Sequence, residues 1–174
     1  PFNQSLAKNI INTEIKEIKR RAKYIIFEFS NSYSMVIHLG MTGNLRASKQ
    51  IKYLKHDHII FYLSSSNVLI YNDVRRFGLI QIYRTNESFF LLDNNGPDPF
   101  EKEANADYLF NKIKNSTASI KSILLNHKVI SGIGNIYASE ILFATNISPT
   151  RIGKDVSYDE CKKILKESKK ILSK

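Results

Sequence analysis

The chain has 174 residues, 43% of them hydrophobic, and carries 26 Lys and Arg against 16 Asp and Glu for a formal net charge of +10. This length and apolar content suit one ordinary domain or two small ones with packed cores, which excludes a disordered or fibrous chain. The basic excess favours a polyanionic partner, nucleic acid first, although a solvated surface gives the same sum.

Residues 1–12 read as a short, weakly apolar helix. From Glu14 to Tyr83 the pattern is β-branched and aromatic runs, "KYIIFEFS", "YSMVIHLG", "HDHIIFYLS", "NVLIYND" and "GLIQIYR", and it predicts an antiparallel β domain over 1–93. Asn31-Ser32 and Ser64-Ser65-Ser66-Asn67 sit where hairpin connections belong. "NNGPDPFEKE" carries two prolines and a glycine, as a linker over 94–104 would. From Asn105 the period becomes helical: "NADYLFNKIKNS", "SIKSILLNHKVI", a break at Gly132-Ile133-Gly134, "NIYASEILFAT", and a last helix opened by a Ser157/Glu160 capping box. The expected class is therefore α+β, an antiparallel β-sandwich or barrel-like domain followed by an all-helical domain over 105–174.

Cys161 is the only cysteine, so a disulfide or Cys-x-x-Cys knuckle is not expected and a reducing, cytoplasmic setting fits. No apolar run approaches membrane-spanning length. Three stretches exceed what folding needs. In "HLGMTGNLR" Met41 stands in a glycine-flanked turn, and it reads either as a core methionine or as a side chain pushed outward. In "NDVRRFG" two arginines and Phe77 occupy a turn, either a solvated basic turn over a buried Phe or a phosphate clamp with an exposed wedge. In "GIGN" the glycines and Asn135 open a helix, either as ordinary caps or as an anion site at the helix N-terminus. His38 and Glu140 read as structural.

Together "RRAKY", "HLGMTGNLR", "KHDH", "YNDVRRFG", "SIKSILL" and "GIGNIYASEILF" resemble, in order and spacing, the bacterial formamidopyrimidine-DNA glycosylases. The endonuclease VIII-type glycosylases share the helix-two-turn-helix but match "HLGMTGNLR" and "DVRRFG" less well. The resemblance implies a base-excision repair enzyme, a monomer of the bacterial cytosol, acting on double-stranded DNA that contains oxidised purines or abasic sites. It implies that Lys23 is the proton donor in β-elimination, and that Met41, Arg75 and Phe77 fill the duplex when the damaged nucleotide is turned out. It also implies that His56, Arg76, Lys121 and Asn135 contact the DNA backbone.

The chain departs from the family in four places. It holds no Pro-Glu-Leu-Pro-Glu stretch, whose amine in the family attacks the sugar C1′, and Pro1-Phe2 aligns with an internal family position. It lacks the four cysteines of the family's zinc finger, so no metal or other cofactor is expected in these residues. Val74 replaces a proline, and Ser116-Thr117 stand where a basic residue is common. The expectation is an incomplete glycosylase without activity of its own. The rivals are a non-catalytic DNA-binding relative, an RNA-binding module and a plain structural domain.

Overall fold

Strands alternate their side chains between faces, and this alternation organises the first half of the chain. A helical turn, α1 (Gln4–Ala7), and a short 3-10 turn through Ile10 precede seven strands: β1 (Ile15–Arg21), β2 (Tyr24–Phe29), β3 (Tyr33–His38), β4 (Gly43–Ser48), β5 (Asp57–Tyr62), β6 (Val68–Asp73) and β7 (Leu79–Arg84). They pair antiparallel as one sheet in the order β1-β2-β3-β7 and a second in the order β4-β6-β5. Phe27, Phe29, Met35, Ile37, Ile80 and Ile82 of the first sheet meet Leu45, Ile59, Phe61, Leu69 and Tyr71 of the second in one core. Full burial of a side chain such as Ile37 stabilises by about 2 kcal/mol. The computed structural model describes residues 4–87 and 89–173, which divide into two compact units, one ending at Ser88 and the other beginning at Phe89.

Seven strands stand where the runs of β-formers mark five. The two unmarked ones are β1, largely exposed along a sheet edge and rich in Lys, Arg and Glu, and β4, "GNLRAS", whose Gly and Asn read as turn. Sheet pairing overrides local propensity at both.

The opposite face of the second sheet has its own burial. Val68 and Ile70 are 3% and 0% exposed but lie outside the main core cluster. The β4–β5 loop, residues 49–56, is tied back across this face. Arg46, opposite Ile70, donates to the Lys52 carbonyl at 3.0 Å and to the Asp57 carboxylate at 2.6 Å. Asp57 accepts the Leu54 N–H at 2.9 Å, and Asn72 donates to the Lys55 carbonyl at 2.9 Å.

In the second unit α2 (Phe90–Asp93), α3 (Ala106–Ile113), α4 (Ile120–Leu125), α5 (Asn135–Thr145) and α6 (Tyr158–Leu172) bury Leu109, Ile113, Ile120, Leu124, Ile141, Leu142 and Ile164 in a common core. Asn105 and Ser119 cap α3 and α4, and α5 ends on left-handed Asn146.

Two expectations need correction here. The stretch 94–104 is no loose linker: Asp98 is 4% exposed, the Gly96 N–H donates to the His127 carbonyl at 2.8 Å, and Ser131 donates to the Pro97 carbonyl at 3.1 Å. Its prolines and glycine shape a strap packed against the turns that follow α4, and a Cβ on Gly96 would meet the Val129 carbonyl oxygen at 2.5 Å. The helix preceding "GIGN" also stops earlier than the apolar pattern suggests, at Leu125. Asn126 ends it, its side chain accepting the Lys128 N–H at 3.0 Å and its carbonyl accepting from Val129 and Ile130, a local turn that competes with the helix.

The predicted capping box forms, with the Ser157 side chain and Glu160 each accepting a backbone N–H from the other. Ser157→Ala is expected to lower the stability of the helical unit by about 1 kcal/mol in urea unfolding followed by circular dichroism; an unchanged midpoint would count against the cap.

Candidate nucleic-acid interface

The turns after β3 and β6 press together backbone to backbone. Gly40 is left-handed at φ +64°, and a Cβ there would lie 2.7 Å from the Phe77 carbonyl carbon, so only glycine fits. Between the turns sits Asp73, 0% exposed. Its carboxylate accepts from the Thr42 hydroxyl at 2.6 Å, the Gly78 N–H at 2.8 Å, the Tyr71 hydroxyl at 3.0 Å and the Arg75 N–H at 3.3 Å. Burial alone would raise this carboxyl, but the hydrogen bonds from Thr42, Gly78, Tyr71 and Arg75 outweigh it and hold the pKa at about 2. Burial and the Asp73 charge push the Tyr71 phenol up to about 12.

The clamp displays three side chains. Met41 is 72% and Phe77 59% exposed. Arg75 lies between them, its guanidinium carbon 4.6 Å from the Phe77 ring centre and its Nη1 donating to Met41 Sδ at 3.3 Å. The residues predicted to fill a duplex thus form one contiguous apolar and cationic cluster on two turns, and the core reading of Met41 and Phe77 is excluded.

Around this cluster Asp73 holds a third loop, because its N–H donates to the His56 carbonyl at 3.1 Å and its carbonyl bonds His58 Nε2 at 2.8 Å. His56 at φ +73° and Arg76 at φ +57° are both left-handed, a conformation uncommon for such residues. Lys23 stands in the β1–β2 turn, directly before β2; it is exposed, yet desolvation lowers its pKa. It lies in electrostatic range of His38, whose pKa is lowered first by burial and then by the Lys23 charge. His38 accepts the Gly40 N–H on Nδ1 at 3.1 Å and stands beside the Tyr24 ring with centres 5.0 Å apart, so it buttresses the Met41 turn.

In the helical unit, residues 126–134 link α4 to α5 through left-handed Gly132 at φ +86°. Gly134, not Asn135, is the N-cap of α5, and no side chain caps the helix. Its first-turn N–H groups therefore point outward with the positive end of the helix dipole, beside exposed Asn135. Lys121, on the first turn of α4, lines an open groove of about 520 Å³ with Ser139, Glu140 and Phe143 of α5. Ser139 in turn donates to the Asn135 carbonyl at 3.1 Å. Glu140 is an exposed groove residue, not the structural group the sequence suggests.

Two family models match this chain, the formamidopyrimidine-DNA glycosylase N-terminal domain over residues 1–80 and the formamidopyrimidine-DNA glycosylase H2TH domain over 95–174. The chain belongs to the formamidopyrimidine-DNA glycosylase family. It is 43% identical over 174 residues to the formamidopyrimidine-DNA glycosylase of Wolbachia sp. subsp. Brugia malayi, covering 99% of this chain and 64% of that protein. It is 41% identical to the Rickettsia massiliae protein, covering 97% of this chain and 61% of the relative. The Lactococcus lactis glycosylase bound non-covalently to DNA with an AP site superposes with a TM-score of 0.88 at 30% identity, over 95% of this chain and 65% of that one. The same enzyme in complex with FAPY-dG DNA gives 0.90 at 30% identity, over 98% and 65%. The chain thus spans under two thirds of the length of these relatives.

The zinc that the family resemblance implies finds no fit among the described residues. Cys161 is fully buried, its thiol pushed up to about 11 by burial and then by Glu160, and among the described residues no three His, Cys, Asp or Glu side chains are grouped to hold a metal. Sequence reasoning assigned no role to Asp73, Thr42 or the Arg46–Asp57 pair. A signal for Asp73 existed, since it follows Tyr71 by two and therefore shares the inward face of β6.

Asp73→Ala removes the acceptor of four hydrogen bonds, from the Thr42 and Tyr71 hydroxyls and the Gly78 and Arg75 N–H groups, and is expected to cost about 3 kcal/mol of β-unit stability in urea unfolding. Because the folded carboxyl titrates below its ordinary value, its stabilisation is complete above about pH 4 and is lost as the pH falls toward 2. Thermal melts should therefore decline less steeply over that window in Asp73→Asn than in the wild type; parallel curves would remove Asp73 from the acid response.

Proposed function

We propose that this chain carries the duplex-opening and backbone-gripping parts of a base-excision repair glycosylase and AP lyase that acts on oxidised purines. The observation that carries the reading is the exposed Met41–Arg75–Phe77 cluster, held by a buried carboxylate on two abutting turns. Exposed apolar side chains on rigid turns are unfavourable in water, and they become useful when a base leaves the stack and its hole must be filled. Arg75 adds a cation that satisfies the orphaned partner base or phosphate, while the Met and Phe supply the wedge.

Lys23 is proposed as the proton donor of β-elimination, supported by its desolvated ammonium, since a lowered pKa eases proton release to a leaving group. His56, Arg76, Lys121 and Asn135, with the uncapped first turn of α5, are proposed to hold phosphates. In the intact mechanism an N-terminal secondary amine displaces the base at C1′, the resulting Schiff base acidifies the sugar, and β,δ-elimination cuts the strand. No Pro-Glu-Leu-Pro-Glu stretch occurs in the 174 residues, so this chain alone is proposed to bind without forming that adduct.

Borohydride treatment of the 174-residue chain with DNA containing 8-oxoguanine should trap no covalent complex; an adduct band would refute the catalytic part of the proposal. On duplexes with a central tetrahydrofuran abasic analogue, Met41→Ala, Arg75→Ala and Phe77→Ala combined should lower the preference over undamaged duplex by about tenfold in fluorescence anisotropy, given the few kcal/mol involved in unstacking. An unaltered preference would sink the wedge.

A further inference from the structure

We infer that the β4–β5 loop, residues 49–56, is a second DNA-contacting surface that grips backbone flanking the lesion, an inference that rests on the DNA-binding reading above. Lys49, Lys52 and Lys55 recur at every third position of the loop, all exposed. Between them Tyr53 and Leu54 are 69% and 49% exposed, and Tyr62, at the far end of β5, is 68% exposed. Tyr62 lies close enough to raise the Tyr53 phenol above its ordinary value, so two exposed aromatic side chains stand near each other among lysines.

This surface is built rather than loose. Arg46, Asp57 and Asn72 fix the backbone at Lys52, Leu54 and Lys55, which leaves the lysine and tyrosine side chains to project without being needed for the fold. Ordering a loop while leaving its aromatic rings in water is unfavourable unless something covers them. Duplex DNA suits the composition, because lysines neutralise phosphates and tyrosines pack against sugars while donating to phosphate oxygens. Position favours DNA over an acidic protein. The loop ends on His56, whose carbonyl accepts the Asp73 N–H, so it is continuous with the clamp that holds Met41, Arg75 and Phe77. Fully extended, the eight residues reach at most about 29 Å from the clamp that His56 adjoins, so the lysines stay within roughly one duplex turn of the wedge, over the flanking duplex.

The test compares two abasic-analogue duplexes in anisotropy titrations of the 174-residue chain. One is about 30 base pairs long; the other is a hairpin of about 10 base pairs, roughly one turn, with little flank. Lys49→Ala, Lys52→Ala and Lys55→Ala combined, and separately Tyr53→Ala with Tyr62→Ala, should each weaken binding to the long duplex about tenfold and leave the hairpin within about twofold of wild type. The lysine variant should also reduce the slope of log affinity against log salt by about 3. Arg75→Ala with Asn135→Ala should weaken both duplexes alike. Wild-type chain that binds neither duplex sinks the DNA reading itself, whereas loop variants that match wild type on the long duplex, or lose equally on both, overturn the loop assignment alone.

Discussion

A single buried carboxylate holds this surface together. Every polar atom of Asp73 is engaged: the side chain takes Thr42 and the Arg75 N–H on one oxygen and Tyr71 and Gly78 on the other, while the backbone reaches His56 and His58. A buried charge is tolerable only when its hydrogen-bonding capacity is filled. Filling it here requires the β3–β4, β4–β5 and β6–β7 loops to adopt one mutual arrangement. Because β6 is the central strand of its sheet, paired on both sides, the anchor is itself immobilised by two ladders. The loops are thereby converted from three separate excursions into one surface.

Each unit, taken by itself, breaks in one place the rules that the rest of it obeys. Where the core keeps apolar groups inside, Met41, Phe77, Tyr53 and Tyr62 are outside. Where α3, α4 and α6 carry side-chain caps, α5 begins on an uncapped glycine. Such local violations inside an otherwise consistent sequence are where function is expected to reside. The two units express it by different means, the first through rigid display of side chains and the second through bare backbone N–H groups and a helix dipole.

Much of this was legible in the chain. The change from a two-residue to a helical period separated the sandwich from the helices, and the Ser157/Glu160 pair located the last cap. Met41, Arg75 and Phe77 stand out as turn residues, but their pattern leaves core and surface readings open, and only the family resemblance joins them into one set. What escaped were features that depend on partners distant in sequence. β1 reads as charged coil until β2 satisfies its backbone, and β4 reads as turn until β6 pairs with it. The strap at 94–104 carries the residues of a linker because proline and glycine signal a chain reversal without saying what the reversal packs against. Asp73 sits inside a basic motif, and only burial reveals that the acid, not the arginines, organises it.

His56 and Arg76 have a wider consequence. Both stand in left-handed backbone, where a non-glycine residue costs on the order of 1 kcal/mol or more relative to glycine. The fold would gain from glycine at either position, and the interface would lose an imidazole or a guanidinium. With His56 and Arg76 proposed as phosphate contacts, selection for thermal robustness and selection for grip on DNA would pull in opposite directions at these two codons. Glycine introduced at His56 or Arg76 to stabilise this scaffold would remove a proposed contact while every measurement of folding improved.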